Sequence, residues 1–77
     1  MEIKVLLFGI LAEEAGAGEI KAEDIADLNK LKDYLETAYP AFRDYNFLFS
    51  VNGTLVHDNR KLNDGDEVGA LPPFAGG

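Results

Sequence analysis

One segment of this chain repeats its apolar residues with the period of a helix for three turns, and it stands alone among short extended segments. Leu28, Leu31, Leu35 and Ala38 fall on one face over Asn29, Lys30, Lys32, Asp33 and Glu36, with Asp27 placed as N-cap. Pro40 ends the segment, because the residue before a proline avoids the α region. A single long helix can cover only one face of a sheet, so the chain is predicted to be an α+β two-layer domain with the other sheet face left open.

The strands are read from alternation. Glu2 to Phe8 puts Ile3, Val5 and Leu7 on one face and Leu6 and Phe8 on the other. Gly9 breaks that strand, Ile10 to Ala15 reads as a short helix closed by Gly16, and Glu19 to Ala22 as a second strand. Ala41 to Asn46 reads as connecting loop. Phe47 to Val51 and Thr54 to His57 form a hairpin through Asn52-Gly53, since both central positions of a type I′ turn need positive φ. Asp58 to Asn63 reads as polar loop, Asp64-Gly65 as a turn and Asp66 to Leu71 as the last strand. The order is β-β-α-β-β-β, with residues 1–71 as the folded domain and 72–77 as a flexible tail. Leu6, Phe8 and Leu71, on the uncovered side, are candidates for an exposed apolar patch of the kind that meets partners.

Composition narrows the function. At 77 residues there is room for one domain. No cysteine is present, which removes thiolate chemistry, disulfides and zinc-thiolate sites. A net charge of −7 argues against nucleic acid and fits a protein steered toward a basic partner. The apolar run Val5 to Ala12 is too short to span a bilayer and lacks the basic start of a signal peptide, so a cytoplasmic protein without membrane contact is expected.

Most candidate chemical groups have structural readings. His57 is the only histidine, with no cysteine or serine nucleophile beside it. Asp58, Asp64, Asp66 and Glu67 lack the spacing of an EF-hand loop, and turns favour aspartate for local hydrogen bonds, so no metal site is read there. Glu13 and Glu14 are adjacent on a short helix and point to different sides. No glycine-rich run leads to Lys-Ser or Lys-Thr, so the chain carries no nucleotide site or cofactor of its own.

The terminus is different. Pro72-Pro73 stiffens the exit from the last strand, Phe74 and Ala75 follow, and Gly76-Gly77 ends the chain without side chains. Such an end can reach about 20 Å and pass through a channel too narrow for a Cβ. A carboxylate is a poor electrophile until its oxygen is made into a leaving group. Adenylation does this, after which an amine gives a protein conjugate and a sulfur nucleophile gives a thiocarboxylate. The ATP–magnesium site and every catalytic group for that chemistry would belong to the activating partner.

Val51-Asn52-Gly53-Thr54-Leu55-Val56, Leu62-Asn63-Asp64-Gly65-Asp66-Glu67-Val68 and the Pro72-to-Gly77 end resemble the small, sulfur-carrying subunit of molybdopterin synthase, the MoaD family of the ThiS/MoaD ubiquitin-like superfamily. Ile3 to Phe8 and the Leu28/Leu31/Leu35 helix fit it as well, so the resemblance covers nearly the whole chain. It implies a β-grasp, ubiquitin-like fold with a mixed sheet packed on one main helix. It implies that Gly77 is adenylated by a MoeB-like adenylyltransferase and sulfurated to a thiocarboxylate. Phe74, Ala75 and Gly76 would then line the tail inside a MoaE-like large subunit, where the sulfur passes to a cyclic pterin phosphate (precursor Z). By the same resemblance Phe8, Leu55 and Leu71 are the partner interface, and the chain is a non-catalytic sulfur donor. Two departures stand out: Ala12 where relatives often carry arginine, and Leu71 where they often carry an aromatic. The alternatives are a sulfur carrier for thiamine synthesis and a ubiquitin-like modifier that forms isopeptide bonds.

Overall fold

A computed structural model describes residues 1–72. The strands are β1 (Glu2–Leu7), β2 (Glu19–Glu23), β3 (Leu48–Val51), β4 (Thr54–Val56) and β5 (Glu67–Leu71), and the helices are α1 (Ile10–Ala15) and α2 (Leu28–Ala38). The strands form one sheet of order β2-β1-β5-β3-β4, in which β1 and β5 run parallel and every other neighbouring pair is antiparallel. This is the mixed β-grasp sheet that the resemblance implied, and the last strand lies at its centre.

The alternation read from β1 places the sheet's two faces as expected. Ile3, Val5 and Leu7 are buried, as are Val51, Val68 and Ala70, and these side chains meet Leu28, Leu31 and Leu35 of α2 in one core. Asp27 caps that helix by accepting a hydrogen bond from the Lys30 N–H at 2.9 Å, and Gly16 closes α1 in the left-handed conformation. In the β3–β4 turn, Asn52 and Gly53 both have positive φ (50° and 89°), as a type I′ hairpin requires.

Four expectations are corrected. Ala38 is exposed, because the apolar seal passes in the last turn of α2 from the helix to the stacked rings of Tyr39 and Phe42, whose centroids lie 5.1 Å apart. The stretch expected to be plain loop contains a 3₁₀ turn, Pro40–Asp44, that drives Phe42 fully into the core. Phe47, expected to open β3 on its inward face, precedes the strand and is half-buried, edge-on to Phe42 and Phe49. The supposedly polar loop before β5 likewise buries Leu62, held by its N–H bonded to the Ala26 carbonyl at 2.9 Å.

The aspartates near β5 serve the turns, as their spacing suggested. Asp64 Oδ1 accepts from the Glu2 N–H at 2.7 Å. Asp66 accepts from the Asn63 N–H at 2.8 Å and from the Asn52 side-chain amide at 3.0 Å. Asn52 Oδ1 in turn accepts from the Glu67 N–H at 3.0 Å. The loop before β5 is thereby tied to the β3–β4 turn.

The Asn63 N–H, then the Asn52 amide, and to a smaller degree the nearby Arg60 charge hold the Asp66 carboxyl below its ordinary value, outweighing the opposing effect of burial. A carboxylate whose folded pKa is depressed stabilises the fold above its unfolded pKa and loses that contribution as pH falls through the folded one. Asp66→Asn is therefore expected to be less stable than the parent at neutral pH. The gap should close as the solution is acidified below about pH 4, the ordinary range of an aspartate. Urea unfolding of both chains across pH 3–7 tests this, and a gap that does not vary with pH would remove the charge from the account.

Candidate functional site

The uncovered face of the sheet is divided along its strands. Register places Leu6, Gly69, Ser50 and Leu55 side by side in one row across β1, β5, β3 and β4. Two residues further along β5, Leu71 pairs with Leu48 of β3, and Phe8 extends β1 beside it with its N–H bonded to the Ala70 carbonyl at 3.3 Å. Two residues in the other direction, the face turns polar: Lys4 pairs with Glu67, their charged atoms 4.0 Å apart in a half-exposed ion pair worth little energetically.

The apolar half is where β5 ends. Phe8, Leu48 and Leu55 are 43%, 44% and 51% exposed, and Leu6 and Leu71 are half-buried beside them. Gly69 makes the middle of this surface flat. A Cβ there would stand 2.6 Å from Ser50 Oγ and 3.3 Å from the Phe8 ring, so only a residue without one lets the ring lie across β5. A contiguous group of large exposed apolar side chains at the exit of the central strand is the composition of a protein-docking surface.

Phe8, Leu55 and Leu71, singled out in the sequence, thus share one face. Leu48 is a fourth large residue on it: alternation that puts Phe47, Phe49 and Val51 on one face leaves Leu48 on the other, but the sequence reading did not single it out. Phe74, Ala75, Gly76 and Gly77 lie outside the described residues. His57 is exposed and borders an open cleft of about 140 Å³ between the start of α2 and the end of β4, lined also by Asn29, Lys32, Phe47, Leu48 and Asp58. Among the described residues no three His, Cys, Asp or Glu side chains converge on a common centre, and no helix is long and apolar enough to cross a membrane.

Known proteins resemble this chain along its whole length. A molybdopterin synthase sulfur carrier subunit of Mycobacterium tuberculosis is 33% identical over 82 residues, covering 100% of this chain and 99% of the relative. One of Chlamydomonas reinhardtii is 37% identical over 83 residues, with 100% of each covered. Among solved structures, a protein described as molybdopterin converting factor subunit 1, from Pyrococcus furiosus, superposes with a TM-score of 0.86 at 26% identity, covering 96% of this chain and 99% of that one. SAMP1 of Haloferax volcanii, a small archaeal modifier protein, gives 0.83 at 26% identity with 100% of both chains covered. A complex of subunits 1 and 2 of molybdopterin-converting factor from Helicobacter pylori shares the fold, with a TM-score of 0.75 at 24% identity and 100% of both chains covered. The model of the ThiS family matches residues 5–77, from the middle of β1 through the glycine pair, and on that match and these full-length relatives the chain belongs to the ThiS family.

Proposed function

We propose that this chain is the sulfur-carrying subunit of a molybdopterin synthase. The observation that carries the reading is identity of 33% and 37%, along the whole chain, to relatives that bear that name. Gly77 supplies the carboxylate. An activating adenylyltransferase transfers AMP to one carboxylate oxygen, releasing pyrophosphate, and a sulfur nucleophile then displaces AMP to leave a thiocarboxylate. That terminal sulfur attacks a carbon of the pterin precursor in the large subunit and displaces an oxygen leaving group. Water then cleaves the acyl C–S bond of the resulting thioester, leaving the sulfur on the pterin and returning the carrier as a carboxylate. Phe74, Ala75 and Gly76 thread the channel, where small side chains near the end suit a narrow passage.

The apolar half of the open sheet face is the docking surface in this scheme, with Phe8, Leu55 and Leu71 joined by Leu6 and Leu48. Two partners in turn, the adenylyltransferase and the large subunit, would read the same surface and receive the same tail. The setting is the cytoplasm, which supplies the ATP. A second reading, a ubiquitin-like protein modifier, is favoured by the likeness to SAMP1, and it shares every step until the nucleophile arrives.

Intact mass spectrometry after incubation with ATP, a sulfide source and the cognate adenylyltransferase tests the proposal. The expected result is a mass gain equal to exchange of one oxygen for sulfur. No gain, with an adenylyltransferase shown to be active on another carrier, would sink the sulfur-carrier reading. Conjugates to lysines that survive denaturation would establish the modifier.

A further inference from the structure

The turn between β1 and α1 touches the last strand and also the residue that follows it. Phe8 lays its ring over Gly69 and bonds its N–H to Ala70, which fixes the strand from the open face. The next residue, Gly9, has φ 56° and ψ −131°, a backbone state that L residues with a Cβ rarely adopt. It suits the first central position of a type II′ turn, and the Leu11 N–H closes that turn on the Phe8 carbonyl at 3.1 Å. The Gly9 carbonyl then accepts from the Ala12 N–H at 3.1 Å and starts α1.

What lies over Gly9 is Pro72, the first residue after β5. An ideal Cβ built on Gly9 would stand 3.1 Å from Pro72 Cγ and 3.9 Å from its Cδ. Few real Cβ contacts are so close, and a proline ring gives way poorly because its φ is fixed near −65°. The ring therefore rests on the bare backbone of Gly9, one residue from the aromatic that anchors the open face.

We propose that Gly9 is a positioning residue for the tail: its missing side chain seats the Pro72 ring and so sets the line along which the chain leaves the sheet relative to the docking patch. The inference rests on the sulfur-carrier reading, in which patch and terminal carboxylate must engage one partner together. A group held at a reacting centre loses roughly a hundredfold in rate for a displacement near 1 Å, so the exit line matters even though Gly9 is far from the chemistry along the chain.

The test uses the full chain as parent, Gly9→Ala, Pro72→Ala and the double variant, with the rate of oxygen-for-sulfur exchange measured against carrier concentration. Gly9→Ala is expected to lower kcat roughly ten- to hundredfold with KM within about twofold, because the patch still docks while the carboxylate is misdirected. In the double variant the ring that Cβ would meet is gone and only the backbone strain of alanine at φ 56° remains, so Gly9→Ala should lower kcat by a smaller factor on the Pro72→Ala background than on the parent. An unchanged kcat in Gly9→Ala, a rise in KM alone, or the same drop with and without the Pro72 ring would overturn the assignment. Should Gly9→Ala fail to fold, Pro72→Ala against the parent decides alone, a fall in kcat with KM within about twofold supporting the seat and an unchanged kcat refuting it. A parent chain that takes up no sulfur refutes the carrier reading, which keeps the two failures distinct.

Discussion

Deleting Gly76-Gly77 is expected to abolish sulfur uptake completely while leaving the thermal unfolding curve where it was. The two halves of that outcome have separate causes. The reacting group of the proposed chemistry is the Gly77 carboxylate, and a chain ending at Ala75 presents its carboxylate two residues short, on a residue bearing a Cβ. Reach and bulk both fail at once, since about 7 Å of extended chain is missing and the narrow end has widened. Stability is set elsewhere. The core cluster of the described residues runs from Ile3 to Ala70, and β5 ends at Leu71. Mass spectrometry of the sulfuration reaction, with circular dichroism melts of both chains, reads the two effects independently. Retained sulfur uptake in the shortened chain would place the reactive group away from the terminus and end the carrier proposal. A large loss of Tm would make the end of the chain part of the fold.

The second large effect is on stability. Phe42→Ala is expected to cost about 3–5 kcal/mol, the range for emptying a fully buried aromatic site. Phe42 is 0% exposed, stacked on Tyr39 and edge-on to Phe47 at 5.8 Å between centroids. Its loss removes both aromatic contacts and opens the end of the core beneath α2. A domain this small has roughly 5–10 kcal/mol in total, so the variant should lose about a third of its stability or more. Equilibrium unfolding in urea measures the loss. A cost below about 1 kcal/mol would mean that the neighbouring rings collapse into the vacated space and that Phe42 is not the seal.

That same residue marks where the sequence was opaque. The β1 alternation, the Leu28/Leu31/Leu35 stripe and the Asn52-Gly53 turn were legible because each is a repeat or a local conformational demand. Phe42 and Leu62 were not, because each is a single apolar residue in a non-repeating segment, and nothing periodic says which way one side chain of a short turn will point. Ala38 shows the converse, a residue with the correct spacing at the end of α2, where the Tyr39 and Phe42 rings take over the seal. For the candidate site, Phe8 and Leu71 followed from alternation on the open face, and Leu55 only from the family resemblance. Leu48 was implied by the alternation of Phe47, Phe49 and Val51 on the opposite face, and was not picked out as a candidate. Gly9 read as a strand breaker. That it also receives the Pro72 ring depends on two positions far apart in sequence, which only the parallel pairing of the first and last strands brings together.

That pairing also orders the life of the molecule during synthesis. The β1–β2 and β3–β4 pairs are local and can form early, but each lacks the neighbour that joins them, and that neighbour is made last. Until residues 67–71 emerge, the nascent chain has two unjoined ribbons with bare inner edges and an unclosed core, and it is at its most vulnerable to proteases and to aggregation. Because the exit tunnel shields the last stretch of a nascent chain, β5 can pair only after synthesis is finished, and its docking then ends that exposure. A chain cut short before its final strand lacks the piece that joins the two ribbons, so the molecules that fold are those that carry β5 whole.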